Sequence, residues 1–372
     1  MRRKLLGMVA ASAASVLVLT ACGGDDGGDT DSGGGGGETA AEVGKVGVIL
    51  PDTASSARWE TADRPLLQEA FEAAGVEADI QNAQGDKARF QTIADGMIAS
   101  GVSVLIITNL DNETGSAVIR KANDVGIPVI DYDRLTLGGG ASYYVSFDNV
   151  KVGEAIGEGL LSCLQASGTT TGGVVLLNGS PTDNNATLFK QGYEKVLTDA
   201  GYTVAADQAV PDWNNTQAGT IFEQIFTAQQ GAFVAVAAAN DGLGGAVASV
   251  LERNGLSGQI PVSGQDATDE GLQRVLLGSQ CNTVYKAVAK EADAAAELGI
   301  ALATGDTAAA DALATGSVED TETGEEVKSV LLEPQGITKE NVKDVIADGY
   351  TTKEKVCTTP ELQQACTANG IS

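Results

Sequence analysis

Val102-Ser103-Val104-Leu105-Ile106-Ile107-Thr108 is an almost wholly apolar stretch that begins directly after Gly101. A run so short and so apolar reads as a strand covered on both faces, as expected of a central parallel strand. Upstream, Phe90, Ile93, Ala94, Met97 and Ile98 recur at helical spacing and stop at Gly101. A strand near 77–82 precedes that helix. Before it, a helix around 60–74 gathers Leu66, Leu67, Ala70, Phe71 and Ala74 on one face and ends at Gly75, in a C-cap position. Val46-Gly47-Val48-Ile49-Leu50 reads as the first strand. Downstream, a helix over 115–125 and a strand over 127–132 continue the series. Strand and helix recur about every 25–30 residues, the signature of parallel βαβ layers.

A second series begins after Asn149 and repeats that rhythm. It places strands at 173–178, 202–208, 232–238, 259–264 and 282–286, with helices near 151–165, 186–199, 216–229, 242–254 and 268–277. The fold class is therefore α/β, with two doubly wound parallel-sheet lobes. Ligands of such sheets bind beyond the carboxyl ends of the strands. Each strand here ends in polar residues: Pro51-Asp52, Asp131-Tyr132-Asp133-Arg134, Asn178-Gly179-Ser180, Asn240-Asp241, Gln265-Asp266 and Lys286. Any single Asp or Asn among them serves equally well as a helix N-cap; the set together points to a site.

The N-terminus begins Met1-Arg2-Arg3-Lys4, runs through an apolar stretch and reaches Val16-Leu17-Val18-Leu19-Thr20-Ala21-Cys22. A basic start, an apolar core and small residues before a cut describe an export signal over 1–21, too short for a stable membrane span. Leu19-Thr20-Ala21-Cys22 resembles a bacterial lipobox, which makes Cys22 the acylated mature N-terminus. Gly23 to Gly37 is almost entirely Gly and Asp with Ser and Thr, so 22–42 reads as a flexible tether. The expected location is the outer face of the cytoplasmic membrane, held there by lipid.

Without the signal, 20 Lys and Arg face 50 Asp and Glu, a formal charge of −30. That balance speaks against nucleic acid as a partner. There is no histidine, which removes the commonest general base, the Ser-His-Asp and Cys-His systems and the usual zinc ligand. Besides Cys22 the cysteines are Cys163, Cys281, Cys357 and Cys366. An even number in an exported chain reads as disulfides with three possible pairings. Short spacing favours Cys357 with Cys366, leaving Cys163 with Cys281; free buried thiols are the alternative. Residues 305–326 are Ala-rich, then acidic from Ser317 to Glu326, and read as a surface loop before a strand at 327–332. The acidic run lacks the calcium-loop spacing, so no metal is expected. Tyr350 to Ser372 reads as a short appendage pinned by Cys357 and Cys366.

The two tryptophans, Trp59 and Trp213, fall in polar loop contexts after strands. Aromatic faces there suit the C–H face of a sugar ring, although each could instead cap the edge of a core. Arg58, Asp133, Arg134, Asn185, Asn240, Asp266 and Lys286 supply the donors and acceptors that sugar hydroxyls need. A pocket shared by two lobes can close around its ligand by hinge motion.

Arg58-Trp59, Asp131–Arg134, Val145–Asn149 with Val152-Gly153, Ser180–Ala186, Asp212-Trp213, Ala239–Asp241, Ser263–Ala267 and Thr283–Lys286 occur in this order. Together they resemble the D-xylose-binding proteins of bacterial ABC sugar importers, from about Lys45 to Gly349. The resemblance implies the type I periplasmic-binding-protein fold, with crossovers near Ser146-Phe147, Lys286 and Leu331-Leu332. The lobes would then be 43–146 plus 287–331, and 147–286 plus 332–372. It makes Arg58, Asp133, Arg134, Asn185, Asn240, Asp266 and Lys286 hydrogen-bonding contacts, Trp59 and Trp213 stacking walls, and Phe147 a lesser candidate. The expected molecule is a monomer without cofactor that hands a monosaccharide to an ABC permease. Three features depart from the family: a less charged, longer 51–57, the acidic insertion near 317–326 and the C-terminal cysteine pair. A sugar sensor for a signalling receptor, with glucose or ribose as ligand, is a competing reading. A carbohydrate-active enzyme using Asp133 and Asp266 is more distant, since Arg134 and Lys286 favour ionised carboxylates.

Overall fold

The computed structural model describes residues 43–371, so the expected signal at 1–21, the lipidation site Cys22 and the tether 22–42 lie outside the described residues. The chain first lays down β1 (Val46–Leu50), α1 (Arg64–Ala74), β2 (Ala78–Asn82), α2 (Lys87–Ala99), β3 (Val104–Ile107), α3 (Asn112–Asp124), β4 (Val129–Tyr132) and β5 (Tyr143–Phe147). It continues with α4 (Asn149–Ala166), β6 (Gly173–Asn178), α5 (Asn184–Asp199), β7 (Thr203–Ala209), α6 (Asn215–Ala228), β8 (Ala235–Ala238), α7 (Asp241–Arg253), α8 (Asp269–Leu277) and β9 (Thr283–Tyr285). Then follow α9 (Val288–Ala303), α10 (Thr307–Leu313), β10 (Gly316–Asp320), β11 (Glu325–Leu332) and β12 (Gln335–Ile337). Three short helices close the chain: α11 (Val342–Ala347), α12 (Lys353–Val356) and α13 (Pro360–Ala368).

Seven strands form the first sheet in the order β10-β11-β5-β4-β3-β1-β2, all parallel except β10. β3 lies inside it, and its alternating side chains divide between two cores. Val104 and Ile106 join Leu67 and Phe71 of α1 and Ala292, Ala295 and Leu298 of α9. Leu105 and Ile107 join Phe90, Ala94 and Met97 of α2 and Val118 and Ile119 of α3. Burial on both faces is why the run is apolar throughout rather than alternating. In the second lobe the parallel sheet is β7-β6-β8, with helices α4 to α7 packed around it.

Several expectations are corrected. The helix expected around 60–74 is present, but its first turn, Trp59–Asp63, is wider than an α-helical turn and passes into α1 at Arg64, just before Pro65, which has no N–H to extend a regular ladder back into that turn. The strand expected at 259–264 shrinks to a single parallel bridge between Val262 and Val236. Beyond it, the Ser263 hydroxyl takes the ladder's place, accepting from Ala238 N–H at 2.9 Å and donating to Ala238 O at 3.1 Å. The strand expected at 282–286 does not extend the second sheet; as β9 it pairs antiparallel with β12. Residues 317–326 are no loop but the turn and arms of the β10–β11 hairpin. Gly324, at φ +73°, closes it with its N–H on Asp320 O at 2.7 Å. The tail is more than an appendage, since Val356, Leu362 and Cys366 share a core with Leu272 and Val275 of α8.

Cys163 is bonded to Cys281 and Cys357 to Cys366, closing sequence separations of 118 and 9 residues. Among the described residues no helix is long and apolar enough to cross a membrane. Because loop-closure entropy grows with loop length, replacing Cys163 and Cys281 by Ala should cost about 4–5 kcal/mol, against about 2–3 kcal/mol for Cys357 and Cys366. Urea unfolding of the two double variants gives the order; a larger loss at the shorter loop contradicts it.

Candidate functional site

The expected site residues come from separate stretches of chain, mostly following a strand's carboxyl end. Arg58 and Trp59 follow β1, Asp133 and Arg134 follow β4, and Asn185 stands in the first turn of α5. Trp213 follows β7, Asn240 caps α7, Asp266 precedes α8, and Lys286 follows β9. All nine line one partly open cavity, together with Ser55, Ser56, Asp183, Phe189 and Gln265. Phe147 lies in the hydrophobic core instead, with the Lys286 ammonium 5.9 Å from its ring centroid.

Asp133 is the hub. Its backbone adopts φ +64°, a conformation costly for a residue with a Cβ, and its carbonyl is held by Asn185 Nδ2 at 2.8 Å, Ser146 Oγ at 2.9 Å and Tyr144 Oη at 3.1 Å. Its Oδ2 lies 3.2 Å from Arg58 Nη1 and 3.4 Å from Lys286 Nζ. Burial alone would raise its pKa, but Lys286, Arg58 and Arg134 outweigh that and hold it at about 2. A carboxyl so strongly ionised cannot act as a general acid near neutral pH.

Arg58 is fixed from behind by residues that the sequence reading did not single out. Its Nε and Nη2 donate to Asp63 at 3.0 and 2.9 Å, and Nη2 reaches Glu291 Oε2 at 2.6 Å. Tyr132 Oη also donates to Asp63, at 2.5 Å. Glu291 is completely buried in the first turn of α9; burial pushes its pKa up, Arg58 opposes this and Asp133 reinforces it, leaving about 8. The legible signal was its register: Glu291 shares the apolar face of Val288, Ala295 and Leu298, where a lone acid implies a buried partner.

The aromatic walls are locked by polar contacts. Trp213, at φ +54°, donates Nε1–H to Asp183 Oδ2 at 3.0 Å, and Phe189 meets it edge-on at 6.4 Å. The indole covers Gly179, where a Cβ would fall 2.1 Å from the ring. The same Asp183 oxygen lies 3.2 Å from Arg134 Nε, so one carboxylate spans from the second lobe to the first. Trp59 donates to Ser55 Oγ at 3.2 Å and stacks under the Arg58 guanidinium at 4.4 Å. Phe189 and Asp183 were also readable in hindsight: one lies a helical turn beyond Asn185 and the other caps the same helix through Asn185 N–H. The result is a set of oriented donors, acceptors and flat faces, suited to a small polyhydroxylated ring.

Residues 46–307 match the model of the periplasmic binding protein domain family. The chain is 36% identical over 311 residues to the D-xylose-binding periplasmic protein of Escherichia coli, covering 82% of this chain and 90% of that one. It is 32% identical over 332 residues to the multiple sugar-binding periplasmic receptor ChvE of Rhizobium radiobacter, covering 83% and 91%. Among solved structures, a carbohydrate transporter solute-binding protein from Chloroflexus aurantiacus in complex with D-glucose superposes with a TM-score of 0.74 at 26% identity, covering 83% and 97%. The chain belongs to the periplasmic binding protein family, a family of solute-binding proteins rather than enzymes.

Three buried carboxyls are pushed upward, chiefly by burial: Glu291 to about 8, Asp131 to about 7 and Asp241 to about 6. Each keeps a proton in the folded chain at pH values where the unfolded chain has released it. The folded state therefore loses stability as pH rises through that interval. Melting followed by calorimetry should fall between about pH 5 and about pH 8, and Glu291→Gln should flatten the upper part of the fall. An unchanged slope in that variant contradicts the assignment.

Proposed function

Because the chain is a periplasmic binding protein, we propose that it captures a monosaccharide, D-xylose or a similar aldopyranose, between its lobes and presents it to an ABC permease. The observation that carries this reading is the convergence of Arg58, Trp59, Asp133, Arg134, Asn185, Trp213, Asn240, Asp266 and Lys286 on one cavity. Ionised carboxylates accept from sugar hydroxyls, guanidinium and ammonium groups donate to them, and the amides do both. The indole faces exclude water from the ring's apolar side. The names of the Escherichia coli and Rhizobium radiobacter relatives support a sugar, and the first supports xylose.

In this reading the lobes comprise 43–146 plus 287–331 and 147–286 plus 332–372, with hinges near Ser146-Phe147, Lys286 and Leu331-Leu332. The pairing of β11 with β5, which sets Leu332 beside Phe147, supports two of those hinges lying side by side. Acylation of Cys22 would keep the binding lobes near the membrane. A sensor role for a wider sugar range is the second reading, favoured by the word receptor in the name of the Rhizobium radiobacter relative.

A thermal-shift panel of pentoses and hexoses tests the ligand: at a sugar concentration of about 100 times Kd the folded state gains about 2.7 kcal/mol. D-xylose should give the largest shift, and a panel without any shift rejects sugar capture. Trp213→Ala should abolish measurable sugar binding while the protein remains folded, because a methyl group cannot replace the stacking face. Calorimetric titration showing unchanged affinity in that variant excludes the proposed pocket.

A further inference from the structure

Tyr350 stands between α11 and α12, in the C-terminal segment, yet its side chain reaches the binding site. Its hydroxyl donates to the backbone carbonyl of Asp266 at 3.2 Å. Its ring packs on Tyr285, with centroids 5.2 Å apart and planes at 53°. Tyr285 directly precedes Lys286, whose ammonium lies 3.6 Å from Asp266 Oδ1. The two tilted, packed tyrosines thus adjoin both members of one ion pair in the cavity, Tyr285 as the chain neighbour of Lys286 and Tyr350 through the Asp266 carbonyl. Tyr285 is itself anchored, donating to Asp348 at 2.6 Å.

Asp266 needs such support. It adopts φ +96° and the next residue, Ala267, φ +48°, two successive left-handed conformations at residues that carry a Cβ. Such a turn persists only where its neighbours over-determine it. The Asp266 N–H donates to Val284 O at 2.9 Å and the Ala267 N–H to Thr283 Oγ1 at 3.2 Å. The Tyr350 hydroxyl holds the remaining group, the Asp266 carbonyl. Burial, and then the charge of Asp266, push the phenol's pKa well up, so it stays a donor.

The segment carrying Tyr350 is itself clamped. The Cys357–Cys366 disulfide ties α12 to α13, and Val356, Leu362 and Cys366 pack against Leu272, Val275 and Leu276 of α8. Gln273 of α8 donates to Lys355 O at 2.9 Å, and the Thr351 hydroxyl bonds to Asp269 at the start of the same helix. Asp266 and α8 are therefore gripped by the segment 350–366, whose second half the disulfide closes.

We propose that Tyr350 is a positioning residue of the sugar site, through which the disulfide-clamped C-terminal segment holds Asp266 in its binding geometry. This rests on the sugar-binding reading above. Calorimetric titration with D-xylose and D-glucose, on the full chain and on Tyr350→Phe, is the test. A single neutral hydrogen bond corresponds to about two- to tenfold in an equilibrium constant, so the variant should bind about fivefold more weakly. Cys357→Ser combined with Cys366→Ser should weaken binding similarly, and adding Tyr350→Phe to that pair should cost nothing more, because both act through one contact. A Tyr350→Phe protein whose ligand-free melting falls while its sugar affinity stays within about twofold of the parent overturns the proposal, as does unchanged affinity without any change in melting. Additive losses in the combined variant overturn the shared route. A parent chain that binds no sugar rejects the sugar reading and this inference together.

Discussion

Removing charges from water between two lobes is the constraint on which the site depends. Each buried ion carries an effective penalty of several kcal/mol unless partners and hydrogen bonds meet it. Asp133 is met by Arg58 and Lys286, and Arg58 in turn by Asp63 and Glu291. Glu291 reaches Arg58 only because α9, which follows Lys286, returns from the second lobe to cover the first sheet. The chain's path and the charge chain are thus one arrangement.

The aromatic faces obey a related rule. An indole beside a sugar must be fixed, since rotational freedom lost on binding weakens affinity. Trp213 is fixed by a hydrogen bond to Asp183, by the edge of Phe189 and by the bare backbone of Gly179. Three of the cavity residues, Asp133, Trp213 and Asp266, have positive φ. About 1–3 kcal/mol of backbone cost at each position is offset by the hydrogen bonds that hold the turn.

What was legible in the sequence follows from the same physics. β3 could be read because burial on both faces demands an unbroken apolar run. Asp133, Arg134 and Asn240 could be read because polar side chains cluster where parallel strands end, and the other cavity residues because they stand in the same order as in the family resembled. Asp63 was hidden because it sits on a helical turn, away from strand ends, and serves a cation rather than the cavity; Glu291, which serves the same cation, showed only through its place on the apolar face of α9. The β10–β11 hairpin was hidden because its acidic residues read as solvated loop, although Asp320 is buried and accepts from Gly138 N–H at 2.8 Å. β12 escaped notice because it has three residues and takes its register from β9, distant in sequence. The bridge at Val262 was overestimated because no pattern reveals a serine hydroxyl standing in for a backbone ladder.

The Asp183 carboxylate, shared between Trp213 and Arg134, joins the two lobes. In a sugar receptor such a clasp would favour the closed shape by itself, and sugar could shift the equilibrium only by its differential affinity for that shape. Any membrane partner that recognises closure alone would then be engaged by empty receptors as well. The carboxylate–guanidinium contact, together with the Asn185 bond to the Asp133 carbonyl, would then bear on the idle traffic of such a system, and weakening them would trade retention of cargo for silence in its absence.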